Sequence, residues 1–249
     1  MPAPTPPFLG LSIYKHAFNP TKLAAEVLRN LSVPNAGPIL VSLCPPLEEI
    51  RCQDNEEAWT RFGDLDSNKM VQFETFLADE NLESEAATVG NWNPFSDGTP
   101  RLIVETWWNG SAFMAPLGTE ATRMRRGGLA YNRLLKICEV LNPTYASITV
   151  EEELQAPREL AKNPDSYCFE EFFIGAELGE TLLQQVTDLC REAYIERVGN
   201  GTYVSMNRWF NPRQVNLDNK AKQKCSKAAS HMLAAAVAKR GWAREGGDG

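Results

Sequence analysis

Adjacent carboxylates are the first residues of this chain that could carry out a reaction. Glu170-Glu171 and the run Glu151-Glu-Glu could serve as general acid and base or hold a metal ion. Neighbouring residues of a strand point to opposite faces of a sheet, so Glu170 and Glu171 cannot act as a pair if their segment is extended. We therefore expect these side chains to form a solvated strand edge or a single buried ion pair.

A nucleophile beside an activating base is the second kind of chemistry to consider. The chain has only two histidines, His16 and His231, and no Gly-x-Ser-x-Gly that would present a serine on a strained turn. None of the six cysteines stands in a CxxC pair or an activating context. Gly127-Gly128 lacks the Lys-Ser/Thr of a phosphate-binding loop. We predict no catalytic residue, no metal ion and no cofactor.

The most distinctive charge lies in residues 47–85, where twelve acidic residues stand against three basic ones, a local net charge of −9. Aromatic residues are interleaved with these carboxylates, which argues against a disordered acidic tail. Such a surface would attract a basic partner and offer it apolar anchors, whereas the alternative is a surface that is merely solvated. The residues predicted to bind a partner are Glu56, Glu57, Trp59, Asp64, Asp66, Asp79, Glu80, Glu83, Glu85, Trp92 and Phe95.

The C-terminal part has the opposite charge. Residues 208–240 contain eight basic residues and one acidic residue, a local net charge of +7. These lysines, together with Arg123, Arg125 and Arg126, could contact phosphates, but the net charge of −7 for the whole chain disfavours nucleic-acid binding as the main activity. We expect the basic side chains to be solvated or to pair with the acidic segment.

Length and composition indicate where in the cell the protein is located and how many domains it has. The chain has 249 residues, 43% of them hydrophobic, which is enough for a substantial core. It contains no apolar run of a length that spans a membrane, and its first seven residues lack the features of a signal peptide. We expect a cytoplasmic protein with reduced thiols. Residues 1–7 are expected to be a flexible lead, 8–242 a single domain or two sub-lobes meeting near 100–145, and 243–249 a flexible tail.

In the N-terminal half, the pattern predicts strands at residues 8–14 and 39–44. Asn19 and Pro20 are good capping and first residues for a helix at 21–31, and a short helix is expected at 55–62. Residues 89–100 have the composition of a loop. Asn109-Gly110 between the β-rich runs 101–108 and 111–116 predicts a hairpin.

In the C-terminal half, helices are expected after Gly127-Gly128 to about residue 141, at 181–197, and in a last helix that ends near residue 239. The last helix is expected to share one apolar face among Leu217, Ala221, Cys225, Ala228 and Met232. Strands are expected at 145–150, 168–174 and 202–208, and a partly helical connection at 151–162. The alternation predicts an α+β fold with a mixed or antiparallel sheet covered by several helices.

The C-terminal stretch resembles a known group of proteins. The run from Gly199 to Met206 (Gly-Asn-Gly-Thr-Tyr-Val-Ser-Met), then Trp209-Phe-Asn-Pro, then Asn216-x-x-Asn-Lys-Ala resembles the C-terminal signature of bacterial polymorphic-toxin immunity proteins, in particular the immunity protein 52 family. Trp107-Trp108-Asn109-Gly110 is similar to the mid-chain strand and turn of that family. The acidic segment at residues 47–90 has no counterpart in the resemblance.

The resemblance implies a non-enzymatic, cytoplasmic inhibitor. Such proteins bind a cognate toxin that is delivered by a contact-dependent or type VI secretion route, typically a nuclease of restriction-endonuclease-like fold. We expect occlusion, in which the acidic segment faces the basic groove of the toxin and Trp59, Trp92 and Phe95 supply anchors. The alternatives are a small carboxylate-dependent enzyme, whose carboxylates would meet Arg123, Arg125 and Arg126 in one pocket, and a scaffold or adaptor protein of a secretion system.

Overall fold

A continuous antiparallel sheet organises the protein in this computed structural model, which describes residues 8–16, 19–31, 38–44, 46–62, 65, 70–78, 84–90, 102–107, 109–113, 118–150, 154–166 and 170–242. The ten strands in these ranges are β1 (Phe8–Tyr14), β2 (Ile39–Cys44), β3 (Glu48–Cys52), β4 (Met70–Ala78), β5 (Ser84–Gly90), β6 (Leu102–Trp107), β7 (Tyr145–Val150), β8 (Glu171–Ile174), β9 (Tyr194–Val198) and β10 (Gly201–Ser205). Their order across the sheet is β3-β2-β4-β5-β6-β1-β7-β8-β10-β9, and neighbouring strands are antiparallel.

Helices cover both faces of this sheet, but to different extents. The described helices are α1 (Pro20–Leu31), α2 (Asn55–Phe62), α3 (Glu120–Leu141), α4 (Pro157–Lys162), α5 (Glu180–Leu189) and α6 (Asn219–Lys239). A first core lies between the sheet and α1, α2 and α3, and takes side chains from strands of both halves. A second core lies on the opposite face beneath α4, α5 and α6. The expected α+β class, with an antiparallel sheet covered by helices, is confirmed.

Strand β1 joins the two halves of the sheet, because it pairs with β6 on one side and with β7 on the other. Its residues alternate between the faces, as in any strand. Leu9, Leu11 and Ile13 belong to the first core, whereas Tyr14 belongs to the second core and packs on Tyr145 with ring centroids 4.9 Å apart. The N-terminal strand is thus a central element of the molecule.

The second face differs between the halves of the sheet. Within the described residues, the second core takes no side chain from β2 to β6. Its described side chains are mixed: Ser42 on β2 and Gln72 on β4 are buried and Glu74 is half-buried, while Leu40, Cys44 and Met70 lie on the same face. The opposite faces of the same strands supply Val41 and Phe73 to the first core. Within the described residues, helices α4 to α6 thus add no apolar layer to this part of the second face.

The acidic segment is an integral part of the fold rather than an insertion. It contributes β3, α2, β4 and β5 to the chain order. The short helix expected at residues 55–62 is present, but the three strands were missed. In β4, buried Val71 and Phe73 alternate with Gln72 and Glu74, which is the period of a half-buried strand. The density of carboxylates had masked this signal.

The hairpin predicted around Asn109-Gly110 is wrong. Strand β6 is present, but residues 109–113 form a 3₁₀ turn, and 114–116 lie outside the described residues. Both edges of β6 are already taken by β5 and β1, so a local returning strand has no place beside it. The turn dipeptide therefore ends a strand without starting a hairpin.

Two helix boundaries also differ from the sequence prediction. Helix α3 begins at Glu120 with Thr119 as its N-cap, so that Gly127 and Gly128 lie inside the helix. A Cβ atom on Gly127 would lie 2.0 Å from the carbonyl oxygen of Trp209, which explains why the helix carries a glycine there. The helix predicted at 181–197 is wrong beyond residue 189, since the chain enters strand β9, which pairs with β10.

The stretch that carries the resemblance forms the β9–β10 hairpin and a tightly hydrogen-bonded loop. Gly199 adopts a positive φ of 52° in the hairpin turn. Asn211 is buried, and its side-chain NH₂ donates to Ser205 Oγ and to the carbonyls of Asn207 and Val215, while its oxygen accepts from the Val215 amide. The loop then enters α6, whose N-cap is Asp218. The Phe-Asn-Pro sequence thus fixes a loop, and the long helix begins seven residues after Pro212.

The apolar face of the last helix is shifted from the predicted one, although the predicted Cys225 lies in the second core and Leu217 and Met232 pack against it. Its buried residues are Cys225, Ser226, Ala229, Ser230, Leu233, Ala234 and Val237. Ala221, Ala228 and Met232 are half-buried at the margin of that face, and Leu217 precedes the helix. The predicted stripe was displaced because the buried face contains two serines, Ser226 and Ser230, which a hydrophobic pattern does not count.

A disulfide joins helices of the second core. Cys190, which follows α5, is bonded to Cys225 of α6, with Cα atoms 5.4 Å apart. Both residues are buried. The expectation of reduced thiols is therefore wrong for this pair, whereas Cys44, Cys52 and Cys138 are free and Cys168 lies outside the described residues. The two cysteines are 35 residues apart and meet only through the packing of α5 on α6, which their spacing does not reveal.

Candidate functional site

The predicted partner-binding residues are only partly within the described residues. Glu56, Glu57 and Trp59 lie on α2, and Glu85 lies on β5, where it pairs with Leu77 of β4. The remaining predicted residues lie outside the described residues: Asp64, Asp66, Asp79, Glu80, Glu83, Trp92 and Phe95. The predicted lead at 1–7 and tail at 243–249 lie outside them as well. The candidate site is therefore built from the α2 region and its neighbours.

Glu57 stabilises the start of α2. Its backbone N–H donates to Asp54 Oδ1 at 2.8 Å, and its carboxylate accepts from the backbone N–H of Gln53 at 2.7 Å. This differs from a capping box only in that the carboxylate bonds the amide of Gln53, one residue before Asp54, and it satisfies backbone donors that have no partner within the helix. Arg61 lies one turn further on, 3.8 Å from the same carboxylate. Glu57 is thus engaged within the protein, whereas Glu56 is exposed.

Trp59 is held against the first core. Its ring is half-buried, and the guanidinium of Arg29 on α1 lies 4.2 Å from its centroid. Arg29 is itself fixed by Glu26, with a nitrogen to oxygen distance of 2.7 Å. A cation over an indole face is a favourable contact. One face of Trp59 is therefore already occupied, and the ring is less available as an anchor than the sequence suggested.

Exposed carboxylates gather where α2 meets the outer strand. Strand β3 is the last strand of the sheet on this side. Glu48 and Glu49 on β3 are exposed, as is Glu56 on the adjacent α2. Leu47 precedes the strand and is 57% exposed, the most exposed large hydrophobic residue within the described part of the chain. We call Leu47, Glu48, Glu49 and Glu56 the acidic edge.

Arg123 of α3 has partners other than these carboxylates. Arg123 donates from Nε to the carbonyl of Ala112 at 2.9 Å, and its guanidinium lies 5.7 Å from the ring of Trp209. Arg208 covers the same ring at 4.1 Å and pairs with Glu120 at 3.3 Å. Helix α1 packs against both α2 and α3. The pocket required by a carboxylate-dependent enzyme is not assembled from Glu56, Glu57 and Arg123.

The basic side chains of α6 have carboxylate partners elsewhere. Asp165 lies 3.4 Å from Lys227 and 3.2 Å from His231, and their hydrogen bonds lower the pKa of its carboxyl group, with His231 contributing most. Lys222 pairs with Glu170 at 2.5 Å. The lysines were expected to be solvated or to pair with the acidic segment: Lys220, Lys224 and Lys227 are exposed, and the partners of Lys222 and Lys227 lie outside that segment.

A buried carboxylate, Glu171, and a half-buried one, Glu196, mark a polar cluster that sequence reasoning missed. Glu171 is fully buried and accepts from the Tyr203 hydroxyl at 3.1 Å; burial raises the pKa of its carboxyl group well above the usual range. Across the sheet, Glu196 accepts from Tyr131 at 2.5 Å and Tyr194 at 2.7 Å. Both carboxylates meet phenols that act as donors, so the cluster supports the β8–β10–β9 sheet.

The predicted geometry of Glu170 and Glu171 is confirmed, because Glu170 reaches Lys222 while Glu171 points into the first core beside Tyr203. Neither histidine belongs to a catalytic arrangement within the described residues. The ring of His16 stacks on Trp242 at 4.1 Å and lies 3.2 Å from the Tyr14 hydroxyl, and burial lowers its pKa. His231 meets Asp165 on the surface. In the same residues no group of three metal-ligating side chains occurs, and no helix is long and apolar enough to cross a membrane.

Comparisons with known proteins add no neighbour to this description. No protein-family model, no curated protein and no solved structure matches the chain. The site therefore rests on its own geometry. Its strongest feature is the acidic edge, where three exposed carboxylates and one exposed leucine lie on or beside the outer strand β3.

Proposed function

We propose that this protein is an immunity-type inhibitor that binds a basic protein toxin and carries out no reaction itself. The observation that carries the proposal is the acidic edge, where exposed Glu48, Glu49 and Glu56 surround the outer strand β3 and Leu47 is 57% exposed. An acidic surface of this kind attracts a basic protein and accelerates its association. An exposed leucine beside the charges supplies an apolar contact that survives high salt.

Residues 199–221 resemble the immunity protein 52 family, whose partners are typically nucleases, so we propose a nuclease as the partner. A nuclease carries a basic groove for its substrate, and a complementary acidic protein would occlude that groove. The local net charge of −9 in residues 47–85 supplies the complementary sign. The basic side chains of α6 are partly compensated by Asp165 and Glu170, which leaves the acidic edge as the surface for a cationic partner.

The proposal includes a cytoplasmic location, where an immunity protein would meet an incoming nuclease. The Cys190–Cys225 disulfide is the feature that bears on this point, because disulfides persist mainly in oxidising compartments. Alkylation of the protein in intact host cells, followed by peptide mapping without reduction, measures the oxidised fraction. A largely reduced pair places the protein in the cytoplasm, and a fully oxidised pair moves it to an oxidising compartment.

The experiment that tests the proposal is capture of a partner from the native host. The tagged protein is used as bait, bound proteins are identified by mass spectrometry, and the candidate is then co-expressed with and without this chain. We expect one basic protein that is toxic alone, is neutralised by co-expression, and dissociates more readily in high salt. A toxin gene adjacent to this gene would favour immunity over a scaffold protein.

A matched pair of variants locates the interface. Glu48→Lys/Glu56→Lys reverses two charges of the acidic edge, and Glu139→Lys/Glu192→Lys reverses two exposed carboxylates outside it. Both pairs change the net charge equally, so only the position differs. We expect at least a tenfold loss of affinity for the first pair and little change for the second. Equal affinities for both pairs would show that the acidic edge is not the interface. If the capture experiment instead returns a monomer with no partner, the alternative of a small carboxylate-dependent enzyme is favoured.

A further inference from the structure

Four polar side chains meet on the second face of the sheet near the acidic edge. Ser42 on β2 lies in register with Glu49 on β3 and with Gln72 on β4. Glu74 follows Gln72 by two residues and therefore lies on the same face. The residues between them, Val41 and Phe73, point into the first core on the other side. We call Ser42, Glu49, Gln72 and Glu74 the sheet-face cluster.

One member of this cluster has a buried polar atom without a hydrogen-bond partner. Ser42 is 0% exposed, and its hydroxyl oxygen has no partner. Gln72 beside it is 8% exposed. Leaving a buried polar group unsatisfied costs about 1–3 kcal/mol, so native proteins rarely keep one without a reason. A ligand with hydrogen-bond donors would satisfy the Ser42 hydroxyl.

The two carboxylates of the cluster carry the same charge. Burial raises the pKa of Glu74, the negative charge of Glu49 raises it further, and the positive charge of the N-terminal amino group lowers it; Glu49 and Glu74 are therefore within electrostatic reach of each other. Within the described residues, neither carboxylate lies within 4.0 Å of a basic group. Arg51 is on the same face, opposite Leu40, but it is exposed and pairs with neither. The cluster therefore presents acceptors and negative charge together.

We infer that the sheet-face cluster binds a guanidinium group. Guanidinium carries its positive charge on a planar set of five N–H donors, which suits two carboxylates, a hydroxyl and an amide oxygen. It is more weakly hydrated than an ammonium group and enters a half-buried site at lower cost. A hard divalent cation would need six or more oxygen ligands, and two carboxylates, one hydroxyl and one amide offer fewer.

The guanidinium is supplied by an arginine side chain of the basic partner, and only this assignment of its source rests on the proposed function. The cluster adjoins the acidic edge through Glu49, which belongs to both. A toxin that docks on β3 would therefore reach the second face of the sheet with its neighbouring side chains. Binding of the group itself is a property of this chain alone.

The test uses n-propylguanidinium as the probe and n-butylammonium, which has the same charge and a similar chain, as its control. Binding to the full chain is followed by amide chemical shifts in two-dimensional NMR at probe concentrations too low to unfold the protein. We expect saturable one-site binding with millimolar affinity, and binding of n-butylammonium at least tenfold weaker. Shifts should be concentrated in β2, β3 and β4. Equal affinity for the two cations would overturn the inference.

Single substitutions test where the probe binds. Glu49→Gln and Glu74→Gln should each weaken the probe at least fivefold, and Ser42→Ala should weaken it to a smaller extent. Glu48→Gln is the matched control, since Glu48 lies on the same strand but faces the other side. Unchanged affinity in both Glu49→Gln and Glu74→Gln would overturn the inference. So would a tenfold gain in Arg51→Gln, because Arg51 would then be the resident cation.

The outcomes separate this inference from the proposed function. If the captured toxin binds normally but n-propylguanidinium does not bind, the guanidinium site is wrong and the immunity function stands. If the probe binds as expected but no toxin is captured, the site stands and its arginine has another source. If both succeed, the Glu74→Gln variant should also weaken the toxin at least fivefold, while Glu139→Gln, an exposed carboxylate outside the acidic edge, should leave its affinity unchanged.

Discussion

At the scale of single residues, Glu171 is a carboxyl group buried in the interior. One of its oxygens accepts from the Tyr203 hydroxyl at 3.1 Å, while the other has no hydrogen-bond partner. Burial raises the pKa of this carboxyl group well above its usual range. In the unfolded chain the same group ionises at its ordinary pKa. The folded state therefore holds this proton more tightly than the unfolded state, and stability is linked to pH.

The sign of that linkage gives the first prediction. The stabilisation associated with neutral Glu171 is fully present below the unfolded pKa and is lost as the pH rises through the folded pKa. Glu171→Gln keeps the neutral form at every pH. We expect a melting temperature close to that of the wild type at pH 4 and a higher one at pH 8, where each kcal/mol corresponds to about 2–4 °C.

Calorimetry between pH 4 and pH 9 checks this expectation. Glu192→Gln is the control, because Glu192 is exposed and its change should leave the pH dependence as it is in the wild type. A Glu171→Gln variant that loses stability equally at pH 4 and pH 8 would show that the carboxyl group is needed for its hydrogen bonds, and that its burial does not govern the pH dependence.

Gly127 and Gly128 give a second residue-scale prediction, because the two neighbours differ in what surrounds them. A Cβ atom on Gly127 would lie 2.0 Å from the Trp209 carbonyl oxygen, whereas one on Gly128 would have nothing within 4 Å. Gly127→Ala forces the backbones apart and should destabilise the protein by about 1–3 kcal/mol. Gly128→Ala should stabilise it by up to about 1 kcal/mol, since alanine is the better helix former.

Urea denaturation of the two variants and the wild type measures both effects. The opposite signs form the prediction, and they depend on α3 packing against the 3₁₀ turn that contains Trp209 (Arg208–Phe210). If both substitutions stabilised the protein to the same extent, the close approach of Gly127 to Trp209 would be absent in solution.

The local chemistry of residues could be predicted better than their roles. Asn19 and Pro20 were expected to begin α1, and Asn19 does so, accepting from the Thr21 amide at 2.8 Å. The Asp54-x-x-Glu57 spacing is also a capping-box pattern, which could have shown that Glu57 is occupied within α2. Trp59 gave no such signal, because its partner Arg29 comes from α1, 30 residues earlier.

At the scale of elements, strands with distant partners were the hardest to predict. β6 is followed by Asn-Gly, the strongest local signal for a hairpin, yet its partners are β1 and β5. β9 follows a helical periodicity through residues 182–193, yet it is extended because β10 offers it a partner. Local propensity was overruled by pairing in both cases. Elements that their own apolar residues identify, such as α1 and β2, were predicted with nearly correct bounds.

The disulfide between α5 and α6 gives the element-scale prediction. It closes a loop of 35 residues, and removing it raises the conformational freedom of the unfolded chain. The double variant Cys190→Ser/Cys225→Ser should lose about 3–4 kcal/mol of stability on the chain-entropy account. Fluorescence-detected urea unfolding, under oxidising conditions, measures the loss.

A reducing agent is the internal control for this prediction. Wild-type protein unfolded and refolded in dithiothreitol should approach the stability of the double variant, while the variant itself should not respond. Cys52→Ser tests whether any buried cysteine has this effect, since Cys52 is buried and free. Its loss should be the same with and without the reducing agent. A wild type that is indifferent to reduction would mean that the bond is not formed.

At the scale of the whole molecule, the separation of acidic and basic residues along the chain could be predicted from the sequence, but the arrangement of these charges in space could not. The basic side chains of the last helix were expected to be solvated or to pair with the acidic middle. Several of them are exposed, Asp165 and Glu170 pair with Lys227 and Lys222, and Glu48, Glu49 and Glu56 stay exposed. The sheet-face cluster could not be foreseen either, because Ser42, Glu49 and Gln72 meet only through the register of three strands.

The position of β1 in the middle of the sheet decides between one cooperative unit and two sub-lobes. It pairs with β6 on one side and β7 on the other, and Ile13 is fully buried in the first core that spans both halves. Because each half borrows an edge of β1, neither half can unfold alone without losing that pairing. We predict that Ile13→Ala lowers the stability of both halves by the same amount, about 2–4 kcal/mol.

Native-state hydrogen exchange measures this effect strand by strand, with amides of β4 reporting on the N-terminal half and those of β10 on the C-terminal half. Equal losses of protection in β4 and β10 would establish a single unit. A loss in β4 with β10 unchanged would reveal two sub-lobes. Ala146→Gly on β7, a buried residue in register with Ile13, provides a matched control from the C-terminal side, and the same equality is expected there. A single unit would also couple binding at the acidic edge to the stability of α6, because the two would unfold together.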